Sequence, residues 1–297
     1  MTKEDPYAAI ENPFWNEINP IEEYLSQADP LRIKPEEGPR MPSVNKPRSI
    51  MIFSPHPDDE SIIGGLALRA REEEYRIVNV AVTQGSNPKR QEERLQELRD
   101  ACQYLGFSLH PIPPRGLEGV NMTSRRDNAK DWMDKVQEIT EIIDQHNPFV
   151  LMFPHENDWN STHVGVNALV RDALAYNFNR RKFGVVETEF WQQMENPNLM
   201  VELSQDQVAT LVAAISLHKG EVERNPYHRL LPFQLGMDVV WGAEKVGSQG
   251  ARAPNMSFAT LYRAGKWDGK KIEPAYEGGR FLTLENDVSS LLESLVE

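Results

Sequence analysis

The chain has 297 residues, 45 of them acidic and 32 basic, for a formal charge of −13 at pH 7. Neutralising phosphates needs clustered Lys and Arg, so no nucleic-acid partner is expected, and no run approaches the eighteen or so apolar residues of a membrane span. The start, Met1 to Pro6, lacks the apolar core of a secretory signal, and Cys102 is the one cysteine, so a reducing cytoplasm is the expected setting.

Residues 1–47 hold 8 of the 21 prolines and nine acids against five bases, with no sustained period. Their aromatics (Tyr7, Phe14, Trp15, Tyr24) suggest an arm packed on the body, since disordered segments are poor in such residues. From Arg48 strands and helices alternate. Ser49 to Ser54 reads as a buried strand and Glu60 to Glu74 as a helix. Gly64 and Gly65 inside that helix imply close approach to the sheet. A strand is expected from Arg76 to Thr83, and a helix from Lys89 to Leu105, stopped by Gly106. Asp127 to His146 carries a stripe of Trp132, Val136, Ile139 and Ile143. A strand then spans Phe149 to Phe153 and a helix His163 to Tyr176.

Beyond that point the pattern is less regular. A strand near Val185 to Phe190 precedes a helix from Ser204 to about His218, opened by the capping pair Ser204 and Gln207. Residues 111–126 and 224–255 read as loops that shape a pocket, and Phe258 to Tyr262 as an apolar segment. Residues 285–297, with four acids and no base, read as an acidic tail. The expected fold is α/β: a Rossmann-like three-layer sandwich with a mostly parallel sheet, spanning 48–284.

In such sheets ligands sit beyond the carboxyl ends of the strands. Two ends here carry unusual chemistry: Ser54-Pro55-His56-Pro57-Asp58-Asp59-Glu60, and Pro154-His155-Glu156-Asn157-Asp158-Trp159-Asn160-Ser161-Thr162-His163. Two imidazoles and a carboxylate make a good zinc shell with one position open. Acids ahead of a helix are also favoured by its dipole, and for Asp58 alone that plainer reading is preferred. Only seven histidines exist, however, and two fall at neighbouring strand ends.

The segment Pro55-His56-Pro57-Asp58-Asp59-Glu60 resembles the signature of the LmbE/PIG-L family of zinc-dependent deacetylases. The second segment is similar to that family's H-x-N-D-x-H-x-D-H box. Thr83-Gln84-Gly85 resembles its T-x-G turn, and Arg94-x-x-Glu97-Leu98 with Leu105-Gly106 its R-x-x-E-L helix. The resemblance covers about residues 48 to 175. It implies His56, Asp59 and His163 as Zn²⁺ ligands, Asp58 as general base, and Arg94 beside the substrate. It further implies hydrolysis of an N-acetylated amino sugar or its conjugate to acetate and a free amine.

Three departures stand out. Asn160 occupies the place of a family histidine that would stabilise the oxyanion or protonate the leaving amine; asparagine can donate a hydrogen bond but cannot act as an acid. Thr162 precedes the last ligand where an Asp is usual. Pro114 to Glu118 shows no counterpart of the family's acidic substrate-contacting residue. His218 is a candidate substitute for the missing histidine, with a core histidine hydrogen-bonded to backbone as the plainer and preferred alternative. The family nudges His218 upward, although His218-Lys219-Gly220 departs from its usual H-x-S-Q. His155 reads as a loop-organising donor, while His110, His146 and His228 suggest no partners.

Two other classes stay in view. One is a metal-containing glycan- or small-molecule-binding protein with weakened catalysis, prompted by Asn160. The other, a nucleotide-binding Rossmann protein, is disfavoured because no G-x-G-x-x-G follows the first strand. Homo-oligomerisation is left open.

Overall fold

The computed structural model describes residues 15–27, 33–190 and 192–297. Tyr7, Phe14 and the side chain of Trp15, expected to anchor the arm, lie outside them. Five strands run parallel: β1 (Ser49–Ser54), β2 (Arg76–Ala81), β3 (Ser108–Pro111), β4 (Val150–Pro154) and β5 (Phe183–Thr188). The sheet continues with β6 (Leu199–Leu203), β7 (Phe258–Trp267), β8 (Ile272–Pro274) and β9 (Arg280–Leu282). The order is β3-β2-β1-β4-β5-β7-β6-β9, with β8 on β7; β7 is antiparallel to β5, β6 and β8. β1 is buried along its whole length, as a strand covered on both faces must be.

Helices cover both faces. On one side α2 (Asp59–Ile62), α3 (Gly65–Glu72), α4 (Gln91–Leu105) and α8 (Gln205–Ser216) enclose Ile52, Leu66, Leu98, Leu211 and Ile215. On the other, α6 (Ala129–His146) and α7 (Ser161–Asn177) bury Trp132, Val136, Ile139, Val166 and Leu169 against Phe53 and Phe153. The remaining helices are α1 (Trp15–Ser26), α5 (Met122–Asp127), α9 (Lys219–Arg224), α10 (Tyr227–Gly247) and α11 (Val288–Ser294). Among the described residues no helix is long and apolar enough to cross a membrane.

The departures from expectation have local causes. The helix expected over Glu60 to Glu74 breaks at Ile63–Gly64. There the Tyr262 hydroxyl donates to the Ile63 carbonyl (2.7 Å) and accepts from the Leu66 N–H (3.0 Å), replacing helical bonds. Gly65 lies against Thr260 and Leu203, so a Cβ there would sit 2.8 Å from Thr260 Oγ1. The 127–146 helix is preceded by a separate turn, α5, capped by Asn121. The expected loop at 224–255 contains α10, a 21-residue helix that accommodates Pro232. Its apolar residues surround it: Leu231, Leu235, Val239, Ala243 and Val246 face inward, while Leu230, Phe233, Met237, Val240 and Trp241 face out. No single-face stripe could therefore betray it.

The acidic end is not a tail. Asp287 caps α11, Glu73 accepts from the Val288 and Ser289 N–H groups, and Val288, Leu291, Leu292 and Leu295 are buried. Of the arm, α1 touches α10 through Tyr24, 5.8 Å ring to ring from Phe233.

Candidate metal centre

Strand order reverses between β1 and β4: one half of the parallel sheet grows through β2 and β3, the other through β5. The two chemistry-bearing loops leave the carboxyl ends of these two strands, at the switch point where a crevice must open.

The first loop is tied down by the other motifs. Both the Thr83 hydroxyl (2.7 Å) and the Thr83 N–H (3.2 Å) donate to the Pro55 carbonyl. Arg94 Nη2 donates to the Pro57 carbonyl at 2.9 Å. Gly85, at φ +81°, makes room for the Arg94 guanidinium, which any side chain there would strike. Held in this way, Asp58 adopts φ 124° and ψ −30°, a strained backbone for a non-glycine residue. Its N–H donates to Glu60 Oε2 at 3.1 Å. Strain costing on the order of 1–3 kcal/mol persists only where the surroundings over-determine it, and such residues cluster at functional sites.

His56, Asp59 and His163 converge. His56 Nδ1 lies 3.2 Å from His163 Nε2, and Asp59 Oδ2 is 3.5 Å from each of those nitrogens. Zinc bonds of about 2.0 Å in tetrahedral array put ligand atoms about 3.3 Å apart, so the three donors already form one face of such a shell. Asp59 Oδ1 is buried without a hydrogen-bond partner. Burial pushes the Asp59 carboxyl up, but the His163 imidazole and the bonds from His56 outweigh it and hold it below the usual range. Burial depresses His163, yet Asp59 and Asp158 outweigh that and raise it, so an entering metal would compete with a proton there. The donor types, spacing and orphaned oxygen fit a metal ion.

Asp58, 4 % exposed, stands beside this triangle. Burial first and the neighbouring Asp59 second push its carboxyl well above the ordinary range, with Arg94, 3.9 Å from Oδ1, pulling the other way. Arg94 also lies 3.5 Å from Glu221, so its contacts are with the loop and Glu221. Asn160 is the N-cap of α7: its Oδ1 accepts from the Thr162 N–H at 2.9 Å, which leaves the Nδ2 hydrogens as the donors it can offer elsewhere. His218 is fully buried, and its Nε2 lies 2.8 Å from Glu60 Oε1. Because Glu60 also takes the Asp58 N–H, His218 meets the site through Glu60. His155 bridges Gln192 O and the Asn157 N–H, and His110 and His146 pair with each other at 2.9 Å.

Several contributors carried no role in the sequence reading. Asp158 Oδ2 sits 3.0 Å from His163 Nδ1 and its Oδ1 accepts the Asn160 N–H at 2.8 Å. An Asp shortly before a ligand histidine is the signal for such a partner, which orients the imidazole. Phe190 packs edge-on against His163 with ring centroids 4.6 Å apart. Glu221 gathers its helix neighbour Arg224 and the distant Arg90 and Arg94, and no local pattern announces the last two.

Residues 51–174 match the model of the PIG-L family, described as GlcNAc-PI de-N-acetylase. No curated protein matches the sequence. Among solved structures, a conserved protein from Thermus thermophilus is similar at 15% identity and a TM-score of 0.56, covering 72% of this chain and 93% of that one. The N,N'-diacetylchitobiose deacetylase of Pyrococcus horikoshii is similar at 14% identity and 0.54, covering 88% and 95%. GalB, the 4-carboxy-2-hydroxymuconate hydratase of Pseudomonas putida, is similar at 17% identity and 0.54, covering 73% and 95%. At these identities the likeness is one of fold.

Proposed function

We propose that this chain, whose residues 51–174 match the PIG-L family model, is a zinc-dependent hydrolase that removes the acetyl group from an N-acetylated amino sugar or its conjugate. The observation that carries this reading is the triangle of His56 Nδ1, Asp59 Oδ2 and His163 Nε2 with Asp58 buried beside it. A zinc ion held there supplies a Lewis acid for the acetamide oxygen and lowers the pKa of bound water to about 7.

The chain's own residues do the rest. Asp58, its proton affinity raised by burial, takes a proton from the attacking water. Oxygen adds to the acetamide carbon, the C–N bond breaks, and the products are acetate and a free amine. Asn160 donates to the developing oxyanion through Nδ2 and cannot supply a proton. Asp58 therefore both takes the proton and returns it to the leaving nitrogen. Arg94 fixes the Pro57–Asp58 backbone and borders the substrate, and His218 holds Glu60 beneath Asp58. A cytoplasmic setting suits Cys102, whose buried thiol is pushed well up and is inert.

The test is amine release from N-acetylglucosamine and its conjugates. Zinc at one equivalent, turnover that stops with chelator and returns with zinc, and Asp58→Asn binding zinc without turnover are the expected results. The second reading, a metal-containing glycan-binding protein, is favoured by the loss of an acid at Asn160. It would be upheld by stoichiometric zinc and no turnover on any N-acetyl sugar. Failure to bind zinc at all would sink both.

A further inference from the structure

The outer side of α10 carries an apolar stripe. Leu230 (47%), Phe233 (38%), Met237 (46%), Val240 (58%) and Trp241 (44%) are exposed at helical spacing. Between Arg229 and Glu244 the helix has one charged residue, Asp238, and it is buried. At the Leu230 end, α1 adjoins the stripe: Tyr24 packs on Phe233, and Arg229 lies 4.8 Å over the Tyr24 ring. Ile18, Ile21 and Leu25 of α1 are 51%, 39% and 40% exposed. Together these side chains expose on the order of 700 Å² of apolar surface. That exceeds the largest patch of a typical monomer and approaches the ~800 Å² per partner of a standard interface.

We propose that this face is the dimer interface of the protein, α10 packing antiparallel on α10 of a second copy. The charge pattern selects that occupant. Arg229 and Glu244 lie about 12 and 10 Å on either side of Met237 at 1.5 Å per residue. An antiparallel crossing centred on Met237 therefore sets Arg229 of each copy opposite Glu244 of the other and brings the Phe233 end of one stripe onto the Trp241 end of the next. Aromatic and Met residues without charge at the centre, and opposite charges at the rim, are what homodimer interfaces use. An anionic lipid surface fits poorly: the chain carries −13, and α1 itself carries Glu17, Glu22 and Glu23 with no base.

The experiment is sedimentation velocity on the full chain at about 10 µM, a concentration that populates a dimer of micromolar or tighter Kd. The expected result is a dimer, converted to monomer by Val240→Asp with near-ultraviolet circular dichroism and zinc binding retained. Glu244→Arg should weaken association at least about tenfold, equivalent to 1.4 kcal/mol. Adding Arg229→Glu to it should restore the dimer. A monomeric wild type, whether free in solution or sedimenting with anionic vesicles, overturns the proposal. So does a dimer indifferent to Val240→Asp, or a charge reversal that the second reversal fails to rescue.

Discussion

Asp158→Asn moves one proton on His163 and little else. The carboxylate is acceptor-only, so its contact with His163 Nδ1 at 3.0 Å places the imidazole proton on Nδ1 and leaves the Nε2 lone pair aimed at His56 and Asp59. In the isosteric amide, the oxygen that accepts the Asn160 N–H at 2.8 Å can keep that bond. The NH2 group then faces Nδ1, which must turn acceptor, and the proton moves to Nε2, the atom that the proposed zinc site would use. Rotating the amide instead breaks the loop bond to Asn160. Either way one buried hydrogen bond is mismatched, costing about 1–3 kcal/mol. At 1.4 kcal/mol per decade that is about 10- to 100-fold in zinc affinity, the range found for partners of ligand histidines. Competition against a chromophoric chelator measures it, with circular dichroism to verify the fold. An affinity within about threefold of wild type refutes the tautomer reasoning. A loss beyond about a thousandfold would make Asp158 a ligand in its own right.

Asp58→Asn should lower turnover about 10²- to 10⁴-fold, the usual contribution of a general base. It should also raise the melting temperature, since a buried carboxyl opposed by Asp59 gives way to a neutral amide; a fall in both quantities would mean a structural role. Asn160→Asp keeps a good N-cap but removes the Nδ2 donor, so stability should hold within about 0.5 kcal/mol. Turnover should then fall about 10²- to 10³-fold, and unchanged kinetics would clear Asn160 of any oxyanion role. Glu189 is raised from 4.5 to about 7, first by burial, with the Met194 N–H and Lys245 opposing, and it faces the buried Asp238. Its folded pKa exceeds its unfolded one, so the folded state keeps a proton that the unfolded state sheds, and stability falls as pH rises from about 4.5 to 7. Glu189→Gln removes that fall: the variant should gain up to about 3 kcal/mol at pH 8 and nothing near pH 4. Thermal melts across this range check it, and parallel curves for variant and wild type would rule it out.

The sequence carried the first half of the fold well because its central strands β1 and β4 are buried apolar runs, its long helices have one dry face, and chemical stops end them. The Ser49–Ser54 strand ends at Pro55, and α4 ends where Gly106 takes φ 68°. The convergence of His56, Asp59 and His163 was legible because loops after strands are local in sequence, and the sheet order brings the ends of β1 and β4 together. Features made by distant residues were not. The break at Ile63 depends on Tyr262, and the Glu60–His218 bond spans 158 residues. α10 hid because apolar side chains surround it. Residues 285–297 read as solvated because their acids are conspicuous, yet Asp287 serves as a cap and four apolar neighbours fill the core.

The Tyr262 staple sets a timetable for synthesis. His56, Asp59 and His163 have all left the ribosome once residue 163 emerges, but the hydroxyl that closes the gap between α2 and α3 follows about 100 residues later. At 5–20 residues per second that delay is roughly 5–20 s. During it the Pro55–Asp59 loop lacks both its late supports, His218 beneath Glu60 and Tyr262 at Ile63. The Pro55–Glu60 stretch is thus a half-built centre in the nascent chain, and it acquires its final shape only as β7 threads between β5 and β6.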